Sequence, residues 1–136
     1  MSETVGYVVL GLIWLGILLH LIFVFWQPRR IFKDRQLLFV TVVIFLHLLI
    51  SVPPSLMGTP FINTRTPWFW SLEYPGAFFL SKVAYGTSED HLMDTPLITP
   101  LNMAILTTFF FGLAAFLISQ VVKVFFRALK RSTYSK

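Results

Sequence analysis

The chain has 136 residues, 56% of them hydrophobic and 12% charged, against about 25% charged in an ordinary soluble domain. A soluble fold this small could not cover so much apolar surface, which excludes a chain solvated by water alone. The net charge is +5, but nine of the eleven Lys/Arg fall in two segments, 29–35 and 123–136, each beside an apolar run. That clustering marks orientation in a membrane and excludes the basic face of a nucleic-acid-binding module. With no cysteine there is no disulfide, thiolate metal site or cysteine nucleophile.

Residues 5–26 are the first predicted transmembrane helix: 22 residues without a formal charge, ending in Trp26 at an interface. The segment before it, Met1-Ser-Glu-Thr, lacks the positive start of a signal peptide, so the helix is expected to be retained. Heptad spacing puts Gly6, Ile13, His20 and Gln27 on one seam, with Val9, Gly16 and Phe23 beside it. Residues 27–36 are expected to be a short basic loop, with Pro28 ending the first helix. A connection that short makes the first two spans antiparallel neighbours. Residues 37–52 are the second predicted span, with Val40, Ile44, His47 and Ser51 on one face. Pro53-Pro54 should stop it, because neither residue can donate a backbone hydrogen bond.

Residues 53–99 form a long, aromatic, mildly acidic loop, too long for a mere connector. A short helix, lying on the membrane surface or packed against the bundle, is expected over 75–85, opened by Pro75 and closed by Gly86, with a second turn capped by Thr87 or Ser88 and running to Asp94. Residues 100–126 are the third span. Thr99 can cap it, Pro100 suits the first helical position, and Lys123, Arg127, Lys130 and Arg131 form its basic stop. The expected fold is therefore all-α: a single membrane domain of three transmembrane helices with a long extracytoplasmic loop. The Lys/Arg bias makes it N-out/C-in, in a bacterial inner membrane.

Intramembrane ionisable residues are candidates for function, which singles out His20 and His47. Two imidazoles at similar depth on neighbouring helices can ligate a b-type haem, bind a quinone headgroup or relay protons. The plainer expectation is polar glue, each ring bonded across the bundle to Ser51, Thr41 or a carbonyl. Three spans with intramembrane histidine resemble the small anchor subunits of quinone-linked respiratory enzymes, although the arginine and histidine signatures of that family are not in this chain. Ala104, Thr108, Gly112, Ala115 and Ser119 form a small-residue stripe at steps of four, four, three and four. Such a face docks either a partner helix or the chain's own spans. Trp68 and Trp70 can anchor a partner outside the membrane or rest at the bilayer surface. Glu89, Asp90, His91 and Asp94 cluster acids around one imidazole but match no metal spacing.

No Walker loop, GxSxG, HExxH or dinucleotide fingerprint is present, and the apolar stretches 5–26, 37–52 and 101–122 of the predicted spans contain no Asp, Glu, Lys or Arg. The expectation is a non-catalytic accessory or assembly subunit of a larger membrane complex, not an enzyme, with no required cofactor. Its partners would be the lipid bilayer and other transmembrane subunits. In that role the small-residue stripe, Trp68 and Trp70 bind partners. The alternatives are a haem- or quinone-binding anchor using His20 and His47, and a small immunity or regulatory membrane protein.

Overall fold

The computed structural model describes residues 3–57, 67–80, 82 and 99–135, apart from the side chains of residues 3, 57 and 67–70. Among these residues the chain is all-helical, with no strand. The order is α1 (Glu3–Trp26), α2 (Pro28–Lys33), α3 (Arg35–Met57), α4 (Pro67–Leu80) and α5 (Pro100–Tyr134). Three of them, α1, α3 and α5, are long and apolar enough to cross a membrane.

α5 is the axis of the bundle. It begins as its residues dictate: Thr99 is the N-cap, its side chain accepts from the Asn102 N–H at 3.2 Å, and Pro100 occupies the first turn. Residues 103–108 are then buried without interruption. One side of this segment faces α1 and α4, where Leu10, Ile13 and Ile17, Ala77 and Leu80, and Met103, Ile105 and Leu106 form one apolar core. Another side carries the small-residue stripe and lies against α3, so that a Cβ added at Gly112 would come 3.0 Å from Ile44 Cδ1. Trp14 Nε1 also donates to Asn102 Oδ1 at 3.3 Å, tying α1 to the start of α5.

Several boundaries differ from expectation. Residues 27–36 are not a plain loop: Pro28 starts the short helix α2, whose Ile31 is buried. Asp34 then accepts from the N–H groups of Gln36 and Leu37 and caps α3, which therefore begins at Arg35. Pro53 and Pro54 do not stop α3, which runs on to Met57. Both prolines have the φ a helix needs, and what they forfeit is confined to the bonds to the carbonyls of Leu49 and Ile50, near the helix end. Ser55 Oγ adds a bond to the Ser51 carbonyl at 2.6 Å in this last turn. α4 starts at Pro67 and carries Pro75 inside it, so Pro75 is not a helix start. The turn expected from Thr87 or Ser88 to Asp94 lies outside the described residues. α5 continues to Tyr134, past the expected end at 126.

Candidate functional site

The most concentrated chemistry lies where α3, α4 and α5 meet. The face of α3 read from the sequence is indeed its inner face: Ile44 and His47 are nearly inaccessible and Ser51 is fully buried. His47 sits twelve residues beyond Arg35, or ~18 Å along the helix. Its Nδ1 lies 2.6 Å from Thr108 Oγ1 of α5, and its Nε2 lies 3.2 Å from Ser51 Oγ one turn along. α4 supplies the third wall. Ser51 Oγ donates to Glu73 Oε1, and that oxygen is 3.3 Å from His47 Nε2. Phe111 closes the cluster with its ring edge-on to the imidazole, centroids 4.8 Å apart.

Close approach of α4 makes this possible. Gly76 stands against α5, where a Cβ would fall 2.7 Å from Thr107 Oγ1 and nearer still to the Met103 carbonyl. The Gly76 N–H donates to Thr107 Oγ1 at 3.0 Å, and Thr107 donates to the Glu73 carbonyl at 3.3 Å. A side-chain hydroxyl from α5 thus bonds α4 backbone groups on both sides of Pro75. Ala77 and Leu80 bury the same face of α4, and Phe79 meets Phe110 edge-on at 5.2 Å.

Proton counting describes the cluster. Ser51 and Thr108 have one hydroxyl proton each; Ser51 gives its proton to Glu73, and Thr108 gives its own to the Ala104 carbonyl at 2.8 Å. Both hydroxyl oxygens then turn lone pairs toward the imidazole, whose two nitrogens are thereby engaged. His47 Nε2 and Glu73 Oε1 stand 3.3 Å apart, and pairing of this kind is the condition under which a low-dielectric interior tolerates ionisable groups. Glu73 is fully buried, and its Oε2 has no hydrogen-bond partner among the described residues.

His20 does not join this cluster. Its Nε2 lies 3.2 Å from Thr41 Oγ1, on a different face of α3 from His47. The two histidines thus meet the hydroxyls that the polar-glue expectation named, Thr41 and Ser51. They do not present two free nitrogens to one iron, so the residues as arranged do not fit a bis-histidine haem. The small-residue stripe is also turned inward: Ala104 and Thr108 are fully buried, Ala115 nearly so, Gly112 faces Ile44, and only Ser119 is half-exposed. A partner helix therefore cannot use the stripe as a whole, because this chain's α3 occupies it. The side chains of Trp68 and Trp70, and all of Glu89, Asp90, His91 and Asp94, lie outside the described residues. Among the described residues no three His, Cys, Asp or Glu gather as metal ligands.

Sequence reasoning missed Glu73 and the pairing role of Thr108. The available signal was that Glu73 is the one charge in residues 66–81, otherwise apolar and aromatic like the spans. The fold and site together define a class: an all-helical chain with three potential membrane spans and a sealed polar cluster between them. No family model, curated protein or solved structure matches the chain.

Proposed function

We propose that this chain is a non-catalytic accessory or assembly subunit of a larger membrane protein complex. One observation carries that reading: among the described residues the buried His47, Ser51, Glu73 and Thr108 of the bundle bond to one another, while most of the surface that the spans leave open along their apolar length is apolar. α1 is the clearest case. Its inner seam packs on α5, but a groove of about 560 Å³ separates it from α3, lined by Trp14, Leu18, Leu21, Phe45, Leu49 and Leu56 among others. Leu18 and Leu49 in this groove are 48% and 71% exposed, enough to bring a partner's apolar helix into contact. The orientation that goes with this role is N-out/C-in in a bacterial inner membrane, with α2 and the end of α5 in the cytoplasm. Trp68 and Trp70 at the start of α4 would then be contacts on the outer side. Photo-crosslinking from positions 18 and 49 in native membranes tests the proposal. A discrete adduct with one other membrane polypeptide is expected, and adducts with lipid alone would contradict it.

A second reading rests on His20. Its ring lines an apolar groove of about 440 Å³ with Gly16, Ile44, Phe109, Gly112 and Leu113. A single hydrogen-bonding ring in an apolar recess suits the headgroup of a lipid-soluble quinone. Quinone retained through mild extraction by the parent chain, and lost in His20→Leu, would support this alternative. Equal retention by both would remove it.

A further inference from the structure

The groove between the start of α3 and the last third of α5 has a different character from the others. It measures about 790 Å³ and carries Arg35 from α3 opposite Lys123, Arg127 and Lys130 from α5. Steps of four and three put the α5 cations on one helical face. Among the described residues no carboxylate lines the groove. The neighbouring acid, Asp34, accepts the N–H groups of Gln36 and Leu37, so its charge is committed to the start of α3. Lys123 is held in place by donating to Gln36 Oε1 at 2.5 Å. Beneath the cations the lining is apolar, with Phe39 and Val122 on the two helices.

Height matters as much as charge. Lys123 meets α3 near its first residues, at the end of the apolar bundle, and α5 then runs on for eleven more residues to Tyr134, ~16 Å beyond. The groove thus opens at the level of the headgroups and continues downward as an apolar wall. Four cations above apolar side chains are complementary to an amphiphile with phosphate at its head and acyl chains below. We propose that this groove binds an anionic phospholipid, its four cations suiting a headgroup with two phosphates, of the cardiolipin class.

Native mass spectrometry of the full chain in neutral detergent, titrated with cardiolipin, phosphatidylcholine or inorganic pyrophosphate, tests this. Cardiolipin adducts should survive activation that strips phosphatidylcholine. Arg127→Gln/Lys130→Gln should weaken cardiolipin binding at least tenfold. Arg29→Gln/Arg30→Gln, which removes as much charge from the same end but outside the groove, should weaken it less than twofold. Arg127 and Lys130 are exposed, so the first pair should keep the parent's helical circular dichroism. If it does not, Arg35→Gln replaces it, with at least a threefold loss expected. Equal losses in the two double variants would mean a diffuse surface field and overturn the proposal. So would equal retention of phosphatidylcholine, or pyrophosphate binding as tight as that of cardiolipin, which would make the site a receptor for a soluble anion.

Discussion

His47 and Glu73 set the energetics at the scale of single residues. Removing one member of a buried pair leaves the other without its counter-charge, at a cost of roughly 3–5 kcal/mol, while replacing both with apolar groups is often neutral. Here Glu73 comes from α4, outside the three long helices, so undocking α4 also deprives His47 of its partner. His47→Leu and Glu73→Leu should each destabilise the bundle by about 3 kcal/mol or more. The double variant should cost less than the sum by roughly 1–3 kcal/mol. Denaturant unfolding in micelles checks this, and strict additivity would show that the two side chains are not coupled. Thr108→Val tests the other side of the ring. It removes one hydroxyl shared between His47 and the Ala104 carbonyl and should cost about 1 kcal/mol, in the range of hydrogen bonds between membrane helices.

At the scale of elements, Gly76 and Gly112, both buried at helix contacts, make different demands. At Gly76 a Cβ would overlap the Met103 carbonyl and the Thr107 hydroxyl, one a backbone atom that cannot turn aside. At Gly112 it would press on Ile44 Cδ1 and Cγ1 at 3.0 Å, atoms near the end of a side chain with other rotamers. Gly76→Ala should therefore lift α4 off α5, while Gly112→Ala should cost only about 1 kcal/mol. The chain has no cysteine, which makes the measurement direct. A single Leu80→Cys, at a position 1% exposed, should resist thiol labelling in the parent background and label at least tenfold faster with Gly76→Ala. Equal rates would mean that α4 does not depend on this contact.

The same elements show what the sequence could disclose. Long uncharged runs, the Thr99 cap and the Ile44–His47–Ser51 face follow from composition, capping chemistry and a 3.6-residue period, and all are found. The α1 seam is found in part, because the buried line keeps Gly6 and Ile13 but runs through Leu10 and Ile17 and leaves Gly16 exposed. The course of α3 through Pro53-Pro54 is different, because a helix end is decided by a few bonds that a hydrophobic pattern does not register. The docking of α4 lies further from reach. A lone Glu73 in an aromatic segment fits a surface loop as well as a buried wedge, and only the meeting of Gly76 with Thr107 decides between them. The small-residue stripe was legible as a packing face, but which helix covers it is a tertiary matter.

At the scale of the whole molecule, the His47–Glu73 cluster is buried and apolar surface faces out, with nine of the eleven Lys/Arg in segments 29–35 and 123–136. In the proposed orientation, a single Ser132→Cys should react with a membrane-impermeant thiol reagent in inside-out vesicles and stay silent in right-side-out ones. Thr4→Cys should behave in the opposite way. The reverse pattern would invert the topology and place α2 and the basic groove outside. The most direct test of the accessory role is native mass spectrometry on the parent chain extracted gently from its own membranes. An assembly of fixed stoichiometry with at least one other membrane polypeptide is the expected result. A bare monomer or homo-oligomer, recovered from material whose crosslinks at positions 18 and 49 also lack a protein partner, would contradict the role.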